Sequence, residues 1–161
     1  MSEKVYDLVF VALAIGLAVT IPGFISGLGV GLAGVAAAGA TAEKPGEFSR
    51  MFVLEILSGT QGFYGFIGGI MIMMGTGILG GTFGLPEGVT GLAVLGAAVP
   101  IILQGFTAYP QGKVASASVS AISKNPKVFG SSVIYTVMVE TYAILGFLTG
   151  FLLIYGLGIF G

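Results

Sequence analysis

A single carboxylate stands inside an uninterrupted apolar run, IYTVMVETYAILGFLTGFLL, which covers residues 134–153. Placing a charged side chain inside a membrane costs on the order of 3 kcal/mol on insertion scales, so Glu140 needs something that neutralises it. Two kinds of chemistry fit such an acid. It either exchanges Na⁺ or H⁺ reversibly along an ion path, or it stays protonated and joins neighbouring helices by hydrogen bonds.

Three other polar side chains lie 15 or 16 residues from the proline of a turn, close to the 14 residues of Glu140; they are Thr60, Gln61 and Gln111. Carboxylate, hydroxyl and amide oxygens are the ligands that hard cations prefer, and one negative charge matches a monovalent ion. A proton needs no such additional oxygens. The set therefore favours Na⁺ over H⁺ at Glu140.

The second apolar segment carries part of this set on one helical face. Leu57, Thr60, Gln61 and Tyr64 follow i, i+3, i+4, i+7 spacing, so a helix places them on the same side. The Tyr64 hydroxyl can donate a hydrogen bond to the Glu140 carboxylate from there. We therefore expect Tyr64 to hold the orientation of the carboxylate.

Two further charges lie at depth, Glu55 and Lys113. Lys113 is about 200° around its helix from Gln111, so these two side chains cannot both face Glu140. Glu55 and Lys113 lie at depths that differ by only about 5 Å along their helices. We therefore expect a mutual, structural Glu55–Lys113 contact.

The composition is that of a membrane protein, with 55% hydrophobic residues, 8% charged residues and a mean hydropathy of +1.05. The chain has no Cys and no His, which excludes disulfides, thiolate metal sites and imidazole catalysis. Its six Lys and Arg residues form no basic patch, so we expect no nucleic-acid partner. The opening MSEKVYD lacks a basic region typical of signal peptides, so we expect a retained first helix.

Short turns with charged and turn-forming residues cut the chain into four apolar segments, each longer than the roughly 20 residues that cross a hydrocarbon core. The segments are Leu8 to Ala42, Phe48 to about Leu79, Val89 to Ser123, and Val128 to Phe160. Helices joined by such short turns form an antiparallel bundle. The predicted fold is an all-α membrane protein with four transmembrane helices.

Basic residues predict the orientation of this bundle. Four of them flank the turns near 43–47 and 123–127, whereas only Lys4 marks the other side; the four are Lys44, Arg50, Lys124 and Lys127. By the positive-inside rule these two turns are cytoplasmic and both termini are outside. We expect a multi-pass protein of the cell membrane.

An internal repeat with an offset of 81 residues divides the chain into two tandem helical hairpins, 1–81 and 82–161. The offset pairs Pro45 with Pro126, Phe48 with Phe129, Thr60 with Thr141, Gly65 with Gly146, and Phe66 with Phe147. Because a hairpin returns the chain to its starting side, the two copies have the same orientation. The offset places Glu140 opposite Gly59, so only the second hairpin carries the carboxylate.

Small residues recur every four positions in the first and third segments. They are Gly23, Gly27 and Gly31 in the first and Ala108, Gly112, Ser116 and Ser120 in the third. Such spacing lets helix backbones approach closely, either within one bundle or between the subunits of a ring. The repeat favours a ring whose inner wall is made of these two helices.

The motifs LSGTQGFYGF, PQGKVA and MVETYAILGF resemble the proteolipid (K, or c-type) subunit of prokaryotic V-type ATPases, particularly the sodium-translocating ones. The resemblance covers nearly the whole chain and implies a membrane-embedded rotor ring of identical subunits. It implies that Thr60, Gln61, Gln111 and Glu140 bind Na⁺ through their side chains. The Leu57 backbone carbonyl completes the shell in this family, and Tyr64 hydrogen-bonds the glutamate.

The resemblance also implies partners. A static membrane subunit would present an arginine to the empty site, and a central-stalk subunit would contact the cytoplasmic turns that carry Lys44 and Lys124. Lipid would surround the ring. The chain has no GxxxxGK[ST] loop, so we expect ATP hydrolysis elsewhere in the complex and no catalysis by this subunit.

The sequence leaves other functions open. A ring that carries H⁺ needs only Glu140. A small secondary transporter or channel also uses carboxylates at the membrane centre, but it more often shows broken helices or an inverted repeat, whereas this repeat is parallel. A small membrane enzyme with an anionic substrate would need more basic residues or His, and a purely structural ring would leave Glu140 unexplained.

Overall fold

The computed structural model describes residues 2–160, which fold into a bundle of helices joined by short turns. The α-helices are α1 (Ser2–Glu43), α2 (Phe48–Leu57), α3 (Thr60–Gly75), α4 (Gly91–Gln104), α5 (Ala108–Lys124) and α6 (Phe129–Gly156). The 3₁₀ turns are Pro45–Glu47, Ile78–Gly80, Gly105–Thr107 and Pro126–Val128. Two of these turns start at the prolines that the sequence marks as breaks.

Three helical runs of the described chain are long and apolar enough to cross a membrane, namely Glu3–Glu43, Gly91–Lys124 and Pro126–Gly156. A fourth span results only if α2 and α3, which are bent by 43°, are counted together. Many large apolar side chains on these helices are exposed, for example Tyr142 at 66% and Leu152 at 63%. An exposed apolar surface of this extent fits lipid or other subunits.

The second predicted segment is divided, because α2 ends at Leu57 and α3 begins at Thr60. Around the break, backbone hydrogen bonds span three residues instead of four, as in the bond from Gly59 N–H to the Ile56 carbonyl at 2.9 Å. Ser and Gly have low helix propensity, and Gly59 tolerates the local tightening. The bend therefore falls directly before Thr60 and Gln61.

The third predicted segment is continuous but tightens into a 3₁₀ turn, Gly105–Thr107, between α4 and α5. Pro110 explains this position. Proline has no N–H to offer the carbonyl of Phe106, and its ring would clash with that carbonyl in a regular α-helix. The chain relieves the clash by changing its helical geometry immediately before the proline.

Helix α1, which is about 60 Å long at 1.5 Å per residue, packs against α3, α4 and α5. Helix α6 packs against α4 and α5 on the other side of the bundle. The buried apolar residues form two clusters, one near each end of the bundle. They are centred on Val11, Ile72, Val94, Ile101 and Ile154, and on Ala33, Met51, Leu54, Val119 and Ile122.

The small residues of α1 and α5 behave differently. Ala108 and Gly112 are buried against the backbone of Gly29, so the first two members of the α5 set pack closely within the chain. A Cβ added at Gly23, Gly27 or Gly31 would meet no atom within 4 Å. The glycine stripe of α1 that the spacing singles out is therefore not the stripe that contacts α5.

The N-terminal turn of α1 caps α4. Asp7 Oδ1 accepts a 2.6 Å hydrogen bond from the Gly91 N–H, and Thr90 accepts a further one from the Ala93 N–H at 3.3 Å. Acceptors satisfy the free N–H groups of a helix N-terminus, and a carboxylate also interacts favourably with the helix dipole. Asp7 thus joins residues that are far apart in sequence.

Candidate ion-binding site

Glu140 lies in the middle of α6 and is only 8% exposed. Its Oε1 accepts a 2.7 Å hydrogen bond from the Tyr64 hydroxyl of α3. Its Oε2 accepts a longer bond, 3.5 Å, from Nε2 of Gln111 on α5. The carboxylate is therefore held between three helices by neutral donors.

The polar chain continues from Gln111 into α3. Gln111 Oε1 accepts a short hydrogen bond from Gln61 Nε2, and both side chains are fully buried. Gln61 Oε1 lies 3.3 Å from the Thr60 hydroxyl, which donates a 3.0 Å bond to the Leu57 carbonyl. The predicted site residues thus lie in one continuous network.

The break between α2 and α3 positions this end of the network. The Leu57 carbonyl stands at the last residue of α2, and Thr60 opens α3 three residues later. Because the chain bends here, a backbone oxygen and a hydroxyl sit beside the amide of Gln61. A continuous helix would commit the Leu57 carbonyl to a backbone bond along its axis.

No positive side chain neutralises Glu140 in the described chain. The one salt bridge that residues 2–160 form joins Arg50 to Glu47 at 2.6 Å, on the exposed first turn. Lys113 is exposed and its Nζ lies 4.5 Å from the centre of the Tyr109 ring. An isolated charge with neutral partners at this depth is the feature typical of an ion path.

The predicted Glu55–Lys113 contact is wrong for the described chain. Glu55 turns toward α1, where its Oε1 lies 2.8 Å from the position of a Cβ at Gly34. Lys113 instead lies along its own helix over Tyr109. Depth counted along the sequence fixes the height of each side chain, but it does not fix the direction in which packed helices turn it.

Two polar residues that were not predicted, buried Gln104 and half-buried Thr107, hydrogen-bond to the backbone and side chain of Gln61, respectively. Gln104 Nε2 donates a 3.0 Å hydrogen bond to the Gln61 backbone carbonyl. The Thr107 hydroxyl accepts a 3.3 Å bond from Gln61 Nε2 and donates one to the Gln104 carbonyl at 2.7 Å. Gln104, Thr107 and Gln111 follow i, i+3, i+7 spacing, which is the signal that would have revealed them.

The network offers the oxygen types that suit a hard monovalent cation. It contains one carboxylate, one hydroxyl, two side-chain amides and a backbone carbonyl. The groups come from two sides of the site: α2 and α3 supply one side, and α5 and α6 supply the other. A single buried carboxylate in such a shell, on membrane-length helices, defines a membrane protein that carries ions.

A family model for the C subunit of ATP synthase matches the chain over residues 13–72 and again over residues 90–153. The chain belongs to this family. It is 41% identical over 148 residues to the V-type sodium ATPase subunit K of Enterococcus hirae, covering 91% of each chain. It is 36% identical over 149 residues to the A-type ATP synthase subunit K of Methanocaldococcus jannaschii, covering 92% of this chain and 63% of that one.

Proposed function

We propose that this chain is the non-catalytic proteolipid subunit of a V-type rotary ATPase, and that it carries Na⁺ at Glu140 through the membrane. The observation that supports this most directly is the buried Glu140 carboxylate, whose partners among the described residues are Tyr64 and Gln111 and not a basic side chain. The curated relative from Enterococcus hirae is named for a sodium ATPase, which is consistent with the same cargo here.

The ligand set that we propose is Glu140, Thr60, Gln61, Gln111 and the Leu57 carbonyl, with Tyr64 as the hydrogen-bond donor that orients the carboxylate. The amides of Gln61 and Gln111 connect these groups, each through its nitrogen. A cation between them would be bound by the amide oxygens, which requires the amide groups to rotate. The Thr107 hydroxyl, which accepts a bond from Gln61 Nε2, limits that rotation at Gln61.

Electrostatics gives the mechanism of transport. A site that holds Na⁺ is neutral, so it passes through lipid without a large desolvation cost, whereas an empty, charged Glu140 does not. The charged form is retained where a static membrane subunit supplies water access and an arginine. Rotation of the ring therefore carries one ion per subunit in each turn.

We further propose four membrane crossings arranged as two tandem hairpins, residues 1–81 and 82–161, in a homo-oligomeric ring. The two separate matches to the family model support this division. The basic turns near 43–47 and 123–127 would face the cytoplasm and contact a central-stalk subunit, with both termini outside. The bent α2–α3 pair forms the second crossing in this arrangement.

A ring that carries H⁺ is the second candidate. Glu140 alone would serve it, and the hydrogen bond from Tyr64 fits a carboxylate that exchanges a proton equally well. The additional oxygens from Thr60, Gln61 and Leu57 favour Na⁺, because a proton needs no such shell.

Labelling with a hydrophobic carbodiimide, mapped by mass spectrometry with and without Na⁺ at fixed pH, tests the proposal. Such a reagent attacks a protonated carboxyl group in an apolar site. Modification at Glu140 that Na⁺ suppresses, and K⁺ at equal concentration does not, is the expected result. Modification that Na⁺ leaves unchanged would indicate a proton ring, and an unmodified Glu140 would indicate a structural acid.

A further inference from the structure

A groove of about 410 Å³ runs along the surface between α1 and α3. We call it the α1–α3 groove. It is mostly apolar and is lined by Val19, Gly23, Ser26, Gly27, Val30, Gly59, Gly62, Phe63 and Phe66. A Cβ added at Gly23 or Gly27 would have no atom of the described chain within 4 Å, so packing within the chain does not require glycine at either position.

Contacts inside the two halves of the chain correspond closely. A Cβ at Gly65 would meet Ala18 and Pro22 of α1, and a Cβ at Gly146 would meet Pro100 and Gln104 of α4. The outer-helix residues are offset by 81 and the inner-helix residues by 82. The two hairpins therefore share one packing geometry at this level.

At the depth of the ion site, the offset between the inner helices is 81 instead of 82. Gly59 lies next to Val30 there, and the corresponding residues of the second hairpin, Glu140 and Gln111, are also in contact. The 3₁₀ turn between α4 and α5 explains why the offset changes by one residue. Seven steps from Gln104 to Gln111 include three 3₁₀ residues. They rise by about 12 Å, as do eight α-helical steps. The same geometry is thus kept through the whole depth of the groove.

In the second half, the counterpart of the α1–α3 groove is filled from within the chain. Gln61 reaches Thr107 and Gln111, and the Tyr64 ring stacks on Phe147 with 5.4 Å between centroids. One turn further along α3, an added Cβ at Gly68 would lie 2.8 Å from Cδ1 of Ile101. The first hairpin therefore inserts a row of α3 residues into the second.

The offset carries this row and its receptors to new positions. With an offset of 81, the counterparts of Gln61, Tyr64 and Gly68 are Tyr142, Leu145 and Thr149. The residues that contact this row inside the chain also have counterparts in the first hairpin. Those of Thr107, Gln111 and Phe147 are Ser26, Val30 and Phe66, and that of Ile101, with the inner-helix offset of 82, is Val19. All four of these receptor positions line the α1–α3 groove. The three α6 residues are exposed, with Tyr142 at 66% and Leu145 at 56%.

We propose that the α1–α3 groove receives Tyr142, Leu145 and Thr149 from α6 of a second copy of this chain. The interface between hairpins inside the chain continues in this way from one copy to the next. The inference rests on the proposed ring and adds to it the face, the register and the residues in contact. Tyr142 lies beside Ser26 and Val30, and Leu145 lies against Gly59 and Phe66.

The chemistry of this contact differs from that of the site inside the chain. The carboxylate and one amide of the ion site have no polar counterpart here, since Val30 replaces Gln111 and Gly59 replaces Glu140. Tyr142 and Leu145 replace Gln61 and Tyr64. The contact between copies therefore lacks the carboxylate that an ion shell needs, which leaves one ion site for every two hairpins.

Cysteine cross-linking tests the register, and the natural chain has no cysteine to interfere. Inside the chain, an added Cβ at Gly68 lies 2.9 Å from Cγ2 of Ile101. The two Cβ positions are thus within the distance of about 4.5 Å that a disulfide spans. The counterpart pair between copies is Thr149 and Val19. The variant Val19→Cys with Thr149→Cys, oxidised in the purified assembly, should give a ladder of covalent multimers on a non-reducing gel.

The control combines Leu17→Cys with Thr149→Cys, because Leu17 is about 200° from Val19 around α1. An intact ring that gives no ladder, or an equal ladder with the control pair, would overturn the proposed contact and leave the ring itself standing. That outcome is also expected if lipid or another subunit fills the groove. A chain that is monomeric before oxidation by native mass spectrometry would instead overturn the proposed ring.

A second variant keeps the test independent of cross-linking. Gly27→Leu places a large side chain in the groove, and its Cβ meets no atom of its own chain within 4 Å, so the chain should keep its helical content and lose ring assembly. Gly39→Leu is the matched control. Its counterpart Ser120 is exposed and takes no part in the contact between hairpins, and a Cβ added at Gly39 also meets nothing within 4 Å. Rings from Gly27→Leu as abundant as those from the control would contradict the proposal.

Discussion

The Tyr64 hydroxyl donates a 2.7 Å hydrogen bond to Glu140 Oε1, which joins α3 to the carboxylate of α6. The Tyr64 ring also stacks on Phe147, a second residue of α6 that lies two turns beyond Glu140. The hydroxyl therefore orients the carboxylate, and the ring anchors the hydroxyl. These two roles can be separated by mutation.

Tyr64→Phe keeps the aromatic stack and removes the hydroxyl. The carboxylate then regains rotational freedom, and ordering a Glu side chain costs on the order of 1 kcal/mol, so we expect Na⁺ affinity to fall about three- to tenfold. The Na⁺ concentration that half-protects Glu140 from carbodiimide measures this change. Tyr155→Phe, on the exposed surface of α6, should leave the value unchanged. An unshifted Tyr64→Phe midpoint would refute the orienting role.

Two glutamates at depth give a matched pair for the transport prediction. Glu140→Gln removes the carboxylate but keeps the shape and hydrogen-bonding capacity of the side chain. We expect the assembled complex to form and to lose ATP-driven ²²Na⁺ uptake into vesicles. Glu55→Gln should keep uptake within about twofold of the natural protein, because Glu55 faces Gly34 of α1 and lies outside the network. Equal losses for both variants would argue against Glu140 as the single carrier.

Helix spacing and depth along the sequence are enough to predict the residues that meet at the site. Gln61, Gln111 and Glu140 share one depth, and the structure places them in one hydrogen-bonded chain. This works because membrane helices run nearly parallel, so equal distance from a turn gives nearly equal height. The exception is the pair Glu55 and Lys113. Their heights agree, but their directions depend on how each helix packs.

Three features of the structure could not be predicted from periodicity. The break after Leu57 depends on local hydrogen bonding at Ser58 and Gly59, and both residues also occur inside regular helices. The spacing places Gln104 on the helical face of Gln111, but its partner is the Gln61 backbone carbonyl, which no side-chain pattern reveals. The unfilled α1–α3 groove likewise depends on which side of α1 meets α5.

The cap from Asp7 to α4 gives a prediction about stability. Asp7→Ala removes the acceptor for the Gly91 N–H and should lower the free energy of unfolding by about 1 kcal/mol, as typical helix caps do. Asp7→Asn keeps an acceptor oxygen and loses only the charge at the helix N-terminus, so its effect should be smaller. Thermal unfolding in detergent, followed by circular dichroism, measures both. Glu3→Ala, one turn earlier on α1, is the control, and a loss equal to that of Asp7→Ala would contradict the cap.

Pro110 sets the spacing between the two amides that meet Gln61. The 3₁₀ turn before it allows Gln104 to reach the Gln61 carbonyl while Gln111 reaches the Gln61 side chain. Pro110→Ala restores an N–H for the Phe106 carbonyl, so the turn can relax to α-helical geometry and shorten this stretch by about 1.5 Å. Gln104 and Gln111 cannot then both hold Gln61, and we expect a weaker Na⁺ site with unchanged or higher helix stability.

Carbodiimide protection and hydrogen exchange on the same samples measure the two effects. Pro86→Ala, in the loop before α4, is the matched proline control. A Pro110→Ala ring that binds Na⁺ as tightly as this control would show that the 3₁₀ turn does not position the site.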